Sequence, residues 1–316
     1  MLKRCLVGLL AAASLCGARA AATVNFDQGV DVKGVVSSVQ EQMHIDGSPA
    51  MTYKLATEPR LHAKGFVKKH VAHIDLKTYK DFGSVRIPDK LDLRSKVTQI
   101  EDQGQCGSCW AFSLTATHRD GHALGGKDSG RLSAEWLVDN SPESQGCNGG
   151  FFDSANDFVG PKGGQPLWKT CPYATGSGKC PKDAALAAHI TGWHMLGTSN
   201  GPSTKDIEAY MASSGKSVSI TVGAGTGSWE NYSSGIYNGC QDGQEDHMIN
   251  IVGWDNEGAS FDANGNLPPG KGVWILRNSW GTSWGDRGFM RTKMTDAKGV
   301  RCNAVAKEAA YFDFDD

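Results

Sequence analysis

The apolar positions of this 316-residue chain change rhythm near its middle. In the first half they form helix-like runs. Trp110, Phe112, Leu114 and Ala116 lie in a run from Cys109 to about Leu124 that reads as a buried helix, with Ser108 as its cap and Gly125-Gly126 as its stop. Ser133 to Asp139 reads as a shorter helix, and Asp153–Val159 and Lys205–Ala212 as two more. After Lys216 the pattern becomes strand-like, with short strands expected over Ser217–Val222, His247–Trp254, Gly272–Arg277 and Gly288–Thr292. A helix-rich half (about 89–200) followed by a strand-rich half (about 201–316) predicts an α+β fold of two packed subdomains. The cleft between them is the natural place for a site.

The first 88 residues follow other rules. Lys3 and Arg4, the apolar run Leu6–Leu15 and the small-residue pattern Ala18-Arg19-Ala20 read as a secretory signal over 1–20, too short in its apolar part to span a bilayer. Residues 21–88 hold no cysteine or tryptophan but four of the nine histidines (His44, His62, His70, His73) and the basic cluster Lys68-Lys69-His70. That shift in composition fits a removable pro-segment. Its histidines, which charge near pH 6.5, predict activation on acidification.

Charge narrows the partners. A formal net charge of -2 without a basic block implies neither nucleic acid nor an anionic membrane as partner. Of nine cysteines, Cys5 and Cys16 fall in the signal, which leaves an odd number. Three disulfides and one free thiol fit a secreted, extracellular, periplasmic or lysosome-like oxidising compartment.

The candidate chemistry lies in Gln103-Gly-Gln-Cys-Gly-Ser-Cys-Trp-Ala-Phe112. Cys109 opens an apolar helix, where the helix N-terminus favours a thiolate, and Gln103 offers an amide donor for an oxyanion. Far downstream, His247 can serve as acid/base and Asn278 can hold its ring. The flanking Cys106 also makes a Cys-x-x-Cys pair with Cys109, so a redox site is a rival reading, without the strand–helix–strand context that such sites need.

From about Ile87 onward the chain resembles the papain-family cysteine peptidases. The resemblance rests on Gln103–Ser113, Leu132–Asp139, Gly146-Cys-Asn-Gly-Gly150, Asp246-His247 with Val252-Gly253-Trp254, and the block from Val273 to Phe289 that contains Asn278-Ser-Trp-Gly-Thr-Ser-Trp284. It implies a papain-like fold with an antiparallel, barrel-like second half and a peptidase domain over 89–316. It also implies a secreted endopeptidase made as a zymogen, with Cys109 as nucleophile, His247 as acid/base, Asn278 as orienter and Gln103 as oxyanion donor. Trp280 then shields the Asn278–His247 bond, Trp284 lines the leaving-group side, and Gly149-Gly150 offers backbone to an extended substrate.

The same carry-over pairs Cys106 with Cys147 and Cys240 with Cys302, and leaves Cys171 for Cys180, since Asn140 stands where relatives have a cysteine. The residue two before the scissile bond is expected to meet Phe151, Phe152, Thr221 and Met248, a mostly apolar pocket whose floor is Lys307 or Glu308. The expected partners are peptide or protein substrates and the chain's own pro-segment as inhibitor, although residues 21–88 lack the family's usual helix signature there. No cofactor, metal or membrane partner is implied, and the chain is expected to act as a monomer. A catalytically silent binding protein is the second rival; the intact Gln103, Cys109, His247 and Asn278 speak against it. Asn231-Tyr-Ser233 is a glycosylation sequon, and the polar loop Asp255–Gly272 reads as a solvated hairpin.

Overall fold

One helix, α1 (Cys109–Leu124), is buried along most of its length, and the rest of the fold is arranged around it. The structure is a computed structural model that describes residues 52–53, 62–68, 76–241 and 243–315. These all belong to the unit Ile45–Asp316. The signal at 1–20 and the histidines His44, His70 and His73 lie outside the described residues.

Besides the single turn Gly227–Glu230, three further helices among the described residues surround α1 or cap the second half: α2 (Ala134–Asn140), α3 (Phe152–Lys162) and α4 (Thr204–Ser214). Ser133 starts α2 by accepting from Trp136 N at 3.1 Å, and Ser203 with Asp206 closes a capping box on α4. Ser108 does not cap α1 in this way. Its hydroxyl bonds the Tyr173 hydroxyl at 2.7 Å instead, because the loop before α1 folds inward rather than over the helix end.

The strands in chain order are β1 (Thr52–Tyr53), β2 (Leu76–Lys77), β3 (Lys90–Asp92), β4 (Gln165–Pro166), β5 (Leu186–Ala188), β6 (Gly192–Leu196), β7 (Val218–Val222), β8 (Tyr232–Ser234), β9 (Ile236–Tyr237), β10 (His247–Asp255), β11 (Val273–Arg277), β12 (Phe289–Lys293) and β13 (Ala309–Asp313). Nine of them form one sheet in the order β2-β6-β13-β7-β10-β11-β12-β9, with β3 on β10. Its pairings are antiparallel except at the two ends, and it runs as an open path rather than a closed barrel. β7, β10 and β11 are buried on both faces except at Asp255, so their polar residues Ser219, Thr221, Asn250 and Arg277 bond to partners inside the protein.

Two cores result. The larger packs β7, β10 and β11 with α4 and several aromatics; the other surrounds α1, α2 and α3 and borrows Met248, Ala310 and Phe312 from the sheet. The polar groups of α1 cross from one core to the other. Ser113 donates to Ile249 O at 2.7 Å, Asn250 donates to Ser113 O and Thr117, and Asp120 holds the Arg277 guanidinium at 3.0 Å.

Both Asp120 and Arg277 are buried, and Thr98 and Ser217 complete the carboxylate's bonds. Removing one partner strands a charge away from water. Asp120→Ala is therefore expected to cost about 3–5 kcal/mol of stability in denaturant unfolding; a cost under about 1 kcal/mol contradicts this role for the pair.

Candidate active site

Cys109 is the first residue of α1, fully buried, and the free thiol among the described cysteines. The structure joins Cys106 to Cys147, Cys171 to Cys180 and Cys240 to Cys302. With Cys106 held by Cys147, the Cys106–Cys109 redox pair does not form.

His247 opens β10, and β11 ends at Arg277, so Asn278 arrives beside it from the adjacent strand. His247 Nε2 donates to Asn278 Oδ1 at 2.8 Å, and Asn278 Oδ1 also accepts from Ser279 N. The other ring nitrogen, Nδ1, is buried and has no hydrogen-bond partner. Trp280 stacks on the imidazole at 4.7 Å between centroids, and Trp284 meets Trp280 edge-on at 5.3 Å. Gln103 is buried; its Oε1 accepts from Ser279 Oγ at 2.7 Å, which leaves the amide nitrogen pointing toward the cleft.

That cleft is occupied by residues 62–68 of the chain itself. His62 stacks on the outer face of Trp280 at 4.3 Å, and Lys64 pairs with Glu230 beside it. Gln103 Nε2 donates to Ala63 O at 3.0 Å, and Gly65 N donates to Cys109 Sγ at 3.2 Å. Beyond the thiol, Phe66 N bonds Asp246 O, while Gly150 N and O take Gly65 O at 2.9 Å and Val67 N at 3.0 Å in a parallel bridge. Phe66 tilts onto Phe151 at 5.7 Å, and Lys68 reaches Glu308 at 3.1 Å and Glu245 at 3.5 Å.

Two glycines permit this approach. A Cβ on Gly65 would stand 1.7 Å from Gly107 O, and one on Gly149, whose φ is +129°, would stand 2.6 Å from Val67 Cγ2.

Covered in this way, the site holds its titratable groups neutral. Burial pushes the Cys109 thiol up to about 12, against the pull of the Met248, Gly65 and Trp110 N–H groups. Burial likewise drives His247 down to about 3 despite its bond to Asn278, and the nearby Lys64 and His62 push the same way.

Residues 87–312 match the profile described as papain family cysteine protease. The chain belongs to the papain family of cysteine proteases. Vignain of Vigna mungo is 34% identical over 238 residues, 74% of this chain and 61% of that protein. The chain thus spans about three fifths of the length of that relative and of the vignains of Phaseolus vulgaris and Ricinus communis, 60% each. Among solved structures, digestive procathepsin L2 proteinase from the Tenebrio molitor larval midgut superposes with a TM-score of 0.69 at 25% identity, covering 89% of this chain and 88% of that one. Bromelain protease from Ananas comosus in complex with the E64 inhibitor gives 0.59 at 26% identity, covering 72% of this chain and 100% of that one.

With residues 62–68 in the cleft, the residues expected to line the pocket are buried. Phe152 and Met248 are fully buried in the helical core, and Thr221 is buried with its hydroxyl bonded to Glu245. Of the two candidates for the floor, Lys307 is exposed and Glu308 faces the cleft, where it meets Lys68. Glu245, Ser279, Glu230 and the segment His62–Lys68 were not singled out from the sequence as parts of the site. Only the basic cluster starting at Lys68 signalled a contact with acidic groups. No helix among the described residues is long and apolar enough to cross a membrane.

Proposed function

We propose that the chain is a cysteine endopeptidase made as a zymogen, with residues 21 to about 88 as its pro-segment and Cys109 as its nucleophile. The observation that carries the reading is the occupied cleft: Gln103 holds a backbone carbonyl at 3.0 Å while the neighbouring backbone N–H of Gly65 meets the thiol. A peptide already lies across the residues that would process one. The match to procathepsin L2, a proform by its name, and to bromelain with E64 supports the same reading.

Once the segment leaves, water reaches the pair and the desolvation that keeps it neutral is relieved. Nδ1 of His247 takes the Cys109 proton, and Asn278 holds the resulting imidazolium by its Nε2–H. The thiolate then adds to the substrate carbonyl carbon. The oxyanion is held by Gln103 Nε2 and the Cys109 N–H, and His247 gives its proton to the departing amine. Water, deprotonated by His247, cleaves the acyl-thioester and restores Cys109.

The resident segment escapes this chemistry because of its direction. What meets Sγ is the Gly65 N–H, a donor, and not a carbonyl carbon. The parallel pairing to Gly150 places the carbonyl of Ala63 on Gln103, away from the thiol's own contact. Three disulfides fit maturation in an oxidising compartment of the secretory route.

The ion pairs of Lys68 also supply an acid trigger. Burial and the neighbouring Glu245 raise Glu308 above the ordinary carboxylate range, and Lys68 opposes the rise. The attraction between Lys68 and Glu308 exists only while that carboxylate is ionised, so this contact weakens as pH falls through its raised range. Release of residues 21–88 is expected to be faster at pH 5 than at pH 7.5; equal rates contradict the trigger.

Two variants test the machinery. After processing, Cys109→Ala should abolish turnover of a fluorogenic peptide, and Asn278→Ala should lower kcat about 10²-fold by freeing the imidazole. Retained turnover in Cys109→Ala sinks the nucleophile assignment. Gly65→Ala, whose Cβ collides with Gly107, should weaken inhibition of the intact chain about tenfold or more while the processed enzyme is unchanged; full latency in this variant contradicts the account of the segment.

A further inference from the structure

Between β4 and β5 the chain makes a loop closed by the Cys171–Cys180 disulfide, nine residues apart. One side of this loop is fastened to α2. Glu135 accepts from Gly176 N at 3.2 Å and Ser177 N at 2.7 Å, and Asp139 accepts from Gly178 N at 2.9 Å and Cys180 N at 3.0 Å. Ser133 Oγ donates to Cys171 O at 2.6 Å, and Asn140 Nδ2 donates to Cys180 O at 3.2 Å. Thr175 is held at a φ of +57°, a conformation that β-branched residues rarely adopt. Beside it, a Cβ on Gly176 would stand 2.8 Å from Cys147 Sγ. A loop held this firmly on one side presents a fixed edge on the other.

That edge is Tyr173. Its ring meets Phe112 of α1 edge-on at 4.7 Å between centroids. Its hydroxyl donates to Gln103 O at 2.8 Å, so in its other bond, 2.7 Å to Ser108 Oγ, the serine is the donor. The bond that Cys106 N makes to the same Gln103 O is longer, at 3.4 Å. Gln103 is fixed elsewhere by Ser279, which bonds its amide oxygen at 2.7 Å and its backbone N–H at 2.9 Å. One phenol therefore ties Gln103, which carries one oxyanion donor, to Ser108, which precedes the Cys109 N–H that is the other. Burial pushes the phenol up to about 12 against the pull of the Ser108 bond, so it keeps its proton through the neutral and acidic range.

We propose that Tyr173 is a positioning residue for the oxyanion hole, setting the spacing of its two donors, and that the Cys171–Cys180 loop is its mount. It acts through Gln103 and Ser108 and takes no part in making or breaking bonds. Donors held in place beforehand stabilise a developing oxyanion best, because nothing has to rearrange as the charge builds. Without the hydroxyl, Gln103 O loses its shorter bond. Ser108 is then released toward the first N–H groups of α1, where serine is a favoured cap, and the donor spacing is no longer set. The proposal rests on the cysteine-peptidase reading.

Two experiments separate the proposal from that reading. Tyr173→Phe keeps the ring on Phe112 and removes only the hydroxyl. In processed enzyme, its kcat on a fluorogenic peptide should fall about tenfold while KM stays within about twofold. Alkylation of Cys109 by iodoacetamide, which creates no oxyanion, should keep the wild-type rate. Cys171→Ser combined with Cys180→Ser should show the same split, and an unchanged kcat there overturns the mount. An unchanged kcat in Tyr173→Phe, or alkylation slowed in step with turnover, overturns the positioning role, while wild-type turnover leaves the peptidase reading intact. The second experiment needs no turnover. Amide hydrogen exchange of the intact chain should quicken about tenfold over residues 104–108 in Tyr173→Phe and stay at the wild-type rate over 176–180. Equal exchange over 104–108 overturns the role of the hydroxyl whether or not the chain is a peptidase.

Discussion

Because helix α1 is buried along nearly its whole length, its polar groups must find partners inside the protein, and those partners are the strands that carry the rest of the site. Ser113, Thr117 and Asp120 bond to Ile249, Asn250 and Arg277 on β10 and β11. His247 begins β10 and Asn278 follows the last residue of β11. The bonds that make burial of the helix tolerable therefore also set where the imidazole and the amide stand relative to the helix's first residue, Cys109. A shift of the helix by one turn would leave a carboxylate and a guanidinium unpaired in the interior, so the register of the site is tied to the stability of the fold.

The proposed latency follows from covering that register with a chain that cannot react. The segment His62–Lys68 satisfies the donors that a substrate would use, at Gln103 and Gly150, and presents an N–H to the thiol. It also removes water. With no solvent to stabilise charge, neither a thiolate nor an imidazolium is favoured, and the two ends of the segment are fastened by lysines on acidic groups, Lys64 on Glu230 and Lys68 on Glu245 and Glu308. Position, direction and desolvation act together, and each depends on the close approach that Gly65 allows.

Much of this was legible in the sequence, and the legible part has a common character. The helices at Cys109, Ser133 and Lys205 and the strands at Val218, His247 and Val273 announce themselves through apolar runs bounded by turn and cap residues, which are local properties. The family is shown by short blocks with their own side-chain logic. The open sheet and the uncapped Ser108 were not legible, because both depend on where distant segments come to rest. The same holds for the pocket. Thr221 and Met248 read as lining residues by position and are buried in the intact chain, while Glu245, which Thr221 bonds, carried no signal of its own. Residues 62–68 carry no apolar period at all; their placement is decided by a glycine contact, two ion pairs and the backbone edge at Gly150.

The central claim is that the resident segment keeps Cys109 as a neutral thiol and that its removal yields a thiolate. The most direct test is the pH dependence of alkylation at Cys109, followed by mass spectrometry on the intact chain and on the processed enzyme. The account predicts a thiol that resists alkylation across the neutral range in the intact chain and one that reacts well below the ordinary cysteine pKa of about 8.5 after processing. Superimposable profiles in the two forms would contradict it.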